Sequence, residues 1–186
     1  MGRTRKANKG NLPQPVTREF RVDNAGSPIA NGLTSAIASA VINWEAGPPL
    51  GEVWRVQRLT VLVKATGAFT ADTYGPSTAL TDGIDFTVRD NLTGAELYDL
   101  SSGLLIKKNS DWLRVGADLD YETWASGEET LIVNWDFEKT FGTPIRLDGD
   151  RKDVVRALVN SSAINDNSAY IGLTEHHFII HGIIES

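Results

Sequence analysis

By residue type and spacing, three histidines near the C-terminus are the strongest candidates for a metal site: His176, His177 and His181. On a helix, His177 and His181 would be i,i+4 neighbours able to share one metal ion. The apolar residues 178–180 instead predict a strand, in which four residues span ~13 Å. Two imidazoles that far apart cannot both lie ~2.1 Å from one zinc ion. We therefore predict no metal site and expect packed or interfacial histidines.

Two groups of carboxylates are weaker candidates. Asp118, Asp120 and Glu122 would share one face of a strand, and Asp148-Gly149-Asp150 followed by Asp153 has some features of a calcium loop. Neither group has the Asp-x-Asp-x-Asp-Gly spacing with a closing Glu that a calcium-binding loop requires. A glycosidase pair stays open as an alternative, because such carboxylates converge in space and not in sequence. We expect solvated loop acids.

The other sequence signatures of enzyme chemistry are missing. The chain has no cysteine, which excludes disulfides, thiolate metal ligands and cysteine nucleophiles. It has no phosphate-binding loop, no dinucleotide-binding glycine motif and no nucleophile elbow. We therefore predict a protein that is not an enzyme, with no catalytic residue, no bound metal and no cofactor.

The five tryptophans divide into two groups. Trp54 and Trp135 lie in strongly apolar alternating segments, which predicts core positions. Trp112 and Trp124 lie beside turn residues, where an aromatic ring can stack a sugar or anchor a neighbouring subunit. We expect core or shell packing for these rings and keep Trp112 and Trp124 as possible surface contacts.

The charge of the chain is unevenly distributed. The net charge is −6, yet residues 1–16 hold Arg3, Arg5, Lys6 and Lys9 and no acid. All 24 acidic and 14 of the 18 basic side chains lie in the remaining chain, whose net charge is therefore −10. Such a basic, apolar-poor segment predicts an extended arm that is disordered alone and attracted to acidic surfaces. We predict an arm over residues 1–22 and a single domain over residues 23–186.

Charge and hydropathy also limit the partners. Four arm cations without interleaved aromatic residues are a weak basis for nucleic-acid binding, so we do not expect that partner. No stretch reaches the ~18 apolar residues of a membrane-spanning helix, and we expect no membrane partner. The polar residues after the basic start do not resemble a secretion signal.

The elements that must position these residues are predicted to be strands. Residues 52–64 are densest in β-branched and aromatic residues, and their apolar parity shifts near Gln57, which predicts a long strand with a bulge. Residues 131–138 alternate as a half-buried strand, and residues 17–22 form a weaker first strand. The alanines of residues 33–44 also allow a helix, but the alternation before the Gly-Pro-Pro turn favours a hairpin with residues 52–64. Turns at short intervals predict an all-β fold, a two-sheet antiparallel β-sandwich of jelly-roll-like arrangement.

Several sequence segments resemble those of a known protein family. They are Gly-Pro-Pro-Leu-Gly-Glu-Val-Trp-Arg-Val-Gln-Arg-Leu-Thr-Val (47–61), Leu-Thr-Asp-Gly-Ile (80–84), Leu-Leu-Ile-Lys-Lys-Asn-Ser-Asp-Trp (104–112), Asn-Trp-Asp-Phe-Glu-Lys (134–139), Gly-Thr-Pro-Ile-Arg-Leu-Asp-Gly (142–149) and the closing strand 176–184. Over residues 45–186 the chain resembles small virion structural proteins of tailed bacteriophages that decorate or cement the head shell. The resemblance implies a jelly-roll-like homo-oligomer on the capsid exterior, made in the host cytoplasm. It also implies that an N-terminal extension clasps neighbouring shell subunits.

On this reading Arg3, Arg5, Lys6 and Lys9 bind the major capsid protein, and we expect a trimer. The main alternative is a carbohydrate-binding or receptor-binding module of a fibre, with Trp112, Trp124 or Tyr121 stacking sugars. A tail or portal-collar component is not separated from a head protein by these residues.

Overall fold

The alternation of apolar and polar residues produces most elements of the chain, which a computed structural model describes over residues 14–23, 42–65, 67–74, 83–101, 103–159 and 173–185. These ranges contain ten strands and two short helices. In chain order they are β1 (Gln14–Asp23), β2 (Ile42–Ala46), β3 (Val53–Ala65), β4 (Ile84–Asp90), β5 (Glu96–Asp99), α1 (Asn109–Arg114), β6 (Asp118–Thr123), β7 (Glu129–Asp136), α2 (Phe137–Phe141), β8 (Ile145–Asp148), β9 (Asp153–Val159) and β10 (Leu173–Glu185).

The strands form two antiparallel sheets. The six-stranded sheet has the order β1-β10-β3-β7-β6, with β8 also paired to β3, and the four-stranded sheet has the order β2-β9-β4-β5. The predicted all-β fold with two antiparallel sheets is confirmed. Neither helix in the described ranges is long and apolar enough to cross a membrane.

β3 contains the predicted bulge. His181 of β10 pairs with Arg58 and the next residue, Gly182, pairs with Val56, so Gln57 is the extra residue in β3. One extra residue reverses the side-chain parity of a strand. The apolar residues on both sides of the bulge therefore face the core, and each is at most 1% exposed: Trp54, Val56, Leu59, Val61 and Val63.

The bulge also lies where β3 changes its partner. On one side, β3 pairs with β7 through Arg58–Ala65 and with β8 through Val53–Val56. The chain between β7 and β8 leaves the sheet as α2. Asp136 caps this helix by accepting the Lys139 N–H at 2.9 Å, and Gly142 ends it with φ of +77°. β7 and β8 are thus two parts of one sheet edge with a helix inserted between them.

The core between the sheets centres on aromatic rings. Phe86 of the four-stranded sheet lies 5.7 Å from Trp135 and 6.4 Å from Phe178 of the six-stranded sheet, measured between ring centroids. Trp112 of α1 lies 5.4 Å from Phe86 and closes the cluster. Each of these rings is at most 1% exposed. Aromatic packing therefore joins both sheets and α1.

The predicted hairpin between residues 33–44 and 52–64 is wrong where the structure describes it. β2, which begins at Ile42, pairs with β9 in the other sheet. β3 offers no place for it, because β10 occupies one edge and β7 with β8 the other. Residues 33–41 lie outside the described residues.

The predicted first strand is confirmed as β1. Ten consecutive residues of β1 pair with β10, from Gln14 opposite Ile184 to Asp23 opposite Glu175. Residues 14–22, which the sequence analysis assigned to the arm, therefore lie in the sheet. The rest of the arm, residues 1–13, is outside the described residues.

Replacing Gly182 by alanine should lower the free energy of unfolding by about 3 kcal/mol. A Cβ there would clash with the Arg55 carbonyl oxygen and lie 3.1 Å from the Val56 Cα, so the backbone must move at the bulge. The control is Gly127→Ala, where φ is +85° and nothing lies within 4 Å of the new Cβ, and its cost should be about 1 kcal/mol. Urea unfolding measures both, and equal losses would contradict the role given to Gly182.

Candidate interaction surfaces

The histidines lie on β10, as the strand prediction requires. His177 and His181 are half-buried on the outer face of the six-stranded sheet, and the side chain of His176 is outside what the structure describes. Among the described residues no group of three or more His, Asp or Glu side chains is arranged to hold a metal ion.

His181 belongs to a polar chain across three neighbouring strands. The Thr60 hydroxyl donates to Asn134 Oδ1 at 3.0 Å and lies 3.2 Å from His181 Nε2. Because the Thr60 hydroxyl hydrogen is already donated to Asn134, the Thr60 oxygen accepts a hydrogen bond from the Nε2–H of His181. Burial lowers the pKa of His181, and the nearby Arg58 lowers it further. The imidazole is thus mainly neutral at pH 7 and acts as a brace between strands.

Two of the three carboxylates of β6 have local partners. Asp118, Asp120 and Glu122 share one face of this edge strand, as predicted from their spacing. Asp118 pairs with Lys139 at 3.0 Å, and Asp120 Oδ1 accepts the Tyr121 N–H at 2.8 Å. Charged side chains on an edge strand oppose pairing with another chain.

The carboxylates of residues 148–153 fasten a turn. Asp153 Oδ2 accepts the Asp148 N–H at 3.1 Å, Asp148 Oδ1 accepts the Asp150 N–H at 3.0 Å, and Asp150 Oδ1 accepts the Gly51 N–H at 2.9 Å. These oxygens bind backbone amides and join the β8–β9 turn to the turn before β3. The arrangement is a structural brace.

Trp112 lies in the core, as the favoured interpretation expected, and the possible surface contact at Trp112 is wrong. Trp112 is 0% exposed and its ring packs on Phe86 and Trp135. The turn residues before it, Asn109-Ser110-Asp111, begin the six-residue helix α1, which directs Trp112 inward. Such a short helix has too few turns to show a helical period in the sequence.

Trp124 does lie on the surface. It is 48% exposed, and its Nε1–H donates to Thr130 Oγ1 at 3.1 Å, which holds the ring against β7. Tyr121 is 45% exposed and contacts Phe69, with ring centroids 6.4 Å apart. A contact role for Trp124 stays a prediction.

A surface that the sequence analysis missed lies around α1. Two adjacent depressions of about 450 and 520 Å³ share the lining residues Leu104 and Arg114, and together we call them the groove. Leu100, Val115 and Phe141 line its inner part. We define the α1 face by the exposed and half-buried side chains along this groove and on the helix: Leu104, Leu105, Lys107, Lys108, Leu113 and Arg114.

The backbone of the α1 face is held from below. Asp111 is 4% exposed, and its Oδ2 accepts the N–H groups of Lys107 at 3.0 Å and Lys108 at 3.2 Å. Buried Asn109 donates from Nδ2 to the Thr70 carbonyl at 2.7 Å. The two lysines therefore project from a fixed base.

The four arm cations, Arg3, Arg5, Lys6 and Lys9, lie outside the described residues. The structure locates only their point of attachment, because β1 begins at Gln14 on an edge of the six-stranded sheet.

Comparisons with protein families, with curated proteins and with solved structures gave no significant match to this chain. Any function assigned to the chain therefore rests on the geometry of the described residues and on the charge pattern.

Trp112→Ala should lower the free energy of unfolding by about 3–5 kcal/mol, because it empties a closed aromatic core. Trp124→Ala is the matched control and should cost only about 1 kcal/mol, for one hydrogen bond and partial burial. Urea unfolding followed by circular dichroism measures both. A larger loss for Trp124 than for Trp112 would contradict the core position of Trp112.

The stability of the protein should fall as pH falls below about 6.5, the pKa of an unfolded histidine. His181 has a lowered pKa when folded, so the unfolded chain binds more protons in this range and is favoured by acid. His181→Gln keeps a donor to Thr60 and should flatten the pH dependence of the unfolding midpoint between pH 7 and about pH 5. Arg58→Gln should reduce this pH dependence only partly, because Arg58 is the smaller of the two causes that lower the pKa of His181. An unchanged slope in His181→Gln would refute the assignment.

Proposed function

We propose that this chain is a non-enzymatic structural protein of a tailed-phage virion, which decorates or cements the capsid shell as a homo-oligomer. It lies on the capsid exterior and binds the major capsid protein through the N-terminal arm, with Arg3, Arg5, Lys6 and Lys9 as the contact residues.

The observation that carries this proposal is the attachment of the arm to the body. β1 pairs along ten residues with β10, and β10 pairs along twelve residues with the central strand β3. A force that pulls the arm along the axis of β1 acts on all of these strand pairings at the same time. It does not break them one after another. An arm joined in this way can transmit force from a shell to the folded body, as a cement protein requires.

The charge distribution supports the same proposal. A segment with four cations and no acid precedes a chain of net charge −10. Its own body does not repel it, and an acidic shell surface attracts it. Because the arm is polar and exposed charges are screened over about 8–10 Å at 0.1–0.15 M salt, attachment should weaken with ionic strength.

Glycan binding is the second candidate, and Trp124 is the observation that favours it. Its ring is about half exposed and fixed by Thr130, so little conformational entropy would be lost when a sugar stacks on it. A glycan array with the wild-type protein and Trp124→Ala tests this role. Selective binding that Trp124→Ala abolishes would favour the fibre-module alternative over a cement protein.

Neutralising the arm should weaken shell binding by about 10- to 100-fold, the sum of four exposed ion pairs. The variant replaces Arg3, Arg5, Lys6 and Lys9 by glutamine, and binding is measured by co-sedimentation with shells of the major capsid protein encoded by the same phage. The unfolding temperature should stay unchanged, because β1 is intact.

Two truncations serve as controls. Removal of residues 1–13 should act like the neutral arm, whereas removal of residues 1–23 takes away β1 and should also destabilise the body. Equal shell occupancy by the wild type and the neutral-arm variant would overturn the assignment of the arm, and no binding by the wild type would overturn the proposed function.

A further inference from the structure

We propose that the α1 face is a second docking surface for the shell and receives an acidic segment of the major capsid protein that carries an apolar side chain. The inference rests on the proposed function, and it adds a contact made by the folded body to the contact made by the arm.

The apolar part of this surface consists of the groove and of an exposed leucine on α1. Leu113 is 58% exposed on α1, although its neighbour Trp112 is fully buried. Leu104 and Leu105 are half-buried along the groove, which continues to Leu100. Apolar side chains that line a concave surface with charges at its rim are typical of an interaction site.

The charged part of the α1 face is cationic. Lys107, Lys108 and Arg114 line the same depression as Leu104. The carboxylate of Asp111 is buried beneath them, 3.6 Å from Arg114, and Lys108 lies 3.5 Å from the exposed Asp72. Within the described part of the chain, Lys107 forms no ion pair. Three cations and these two carboxylates leave the rim with a net charge of +1, and Lys107 is the cation available to a partner.

Unlike Lys107, many other cations of the body face a carboxylate. The pairs are Arg55–Glu185, Lys139–Asp118, Arg146–Asp148, Arg151–Asp153 and Arg156–Glu45. A body of net negative charge is repelled by the acidic surface that attracts its arm. The α1 face gives such a body an orientation in which cations approach that surface, which is the charge complementarity that selects the partner.

The surface is formed before binding. The buried Asp111 holds the backbone of Lys107 and Lys108, and Asn109 joins the start of α1 to Thr70. Only side-chain rotamers need to be ordered on docking, so little of the contact energy is lost. Together with the arm, the face makes attachment bivalent, and the second contact forms at a high effective concentration.

A protein segment fits this surface better than a nucleic acid. The α1 face presents leucines beside its cations, and the aromatic ring that lines its groove, Phe141, packs against Trp135 and Phe137 and is not free to stack a base. Leucines lose contact with water favourably only against apolar atoms, which an acidic protein segment supplies and a phosphate backbone does not.

Leu113→Asp and Leu92→Asp are the variants that test the inference, since both leucines are 58% exposed and only Leu113 is on the α1 face. In the full-length protein with its arm intact, Leu113→Asp should bind shells about tenfold more weakly, and Leu92→Asp should bind like the wild type. Lys107→Glu should also weaken binding, whereas Arg58→Glu, the same charge change at another exposed cation, should not. Thermal unfolding confirms that all four variants are folded.

Equal binding by Leu113→Asp and Leu92→Asp would overturn the inference and leave the proposed function standing, whereas a wild type that does not bind shells would overturn both. A changed sedimentation coefficient of free Leu113→Asp would assign the face to contacts between copies, against the inference. Double-stranded DNA binding that Lys107→Glu abolishes, with shell binding unchanged, would also count against it.

Discussion

The bulge in β3 is the constraint on which the rest of the architecture depends. Trp54 and Val56 lie on one side of Gln57 and Leu59 on the other, and only an extra residue between them directs all three inward. Gly182 permits it, because any side chain there would meet the Arg55 carbonyl. A regular β3 would expose half of its apolar side chains, and the sandwich would lose its central strand.

The same irregularity contributes one wall of the groove. Because β3 changes partner at the bulge, the chain leaves the sheet as α2, which places Phe141 beside the groove. At the end of the sandwich, Trp112 packs on Phe86 and so fixes α1 against the core. The packed core therefore supports the α1 face. The arm is attached through β1 to the six-stranded sheet. Both proposed contacts are connected to one rigid body.

Features encoded by neighbouring residues could be predicted from the sequence, and those that depend on distant pairing could not. The parity shift at Gln57 and the alternation of β7 are local patterns, and the structure confirms both. β2 cannot pair with β3, because strands distant in the sequence occupy both edges of β3, and no local pattern in the sequence reveals this. The burial of Trp112 depends on a helix too short to show a period. The groove combines residues near positions 104, 115 and 141, so its existence is visible only once the sheets are assembled.

The central claim is that this β-sandwich, with its basic N-terminal arm, is attached to the outside of a capsid shell. A cryo-EM reconstruction of the virion tests it most directly. The account predicts density for this sandwich on the outer shell surface, with the α1 face towards the major capsid protein and residues 1–13 ordered along that protein. Density for the fold in the tail or a fibre, or particles that lack the protein, would contradict it.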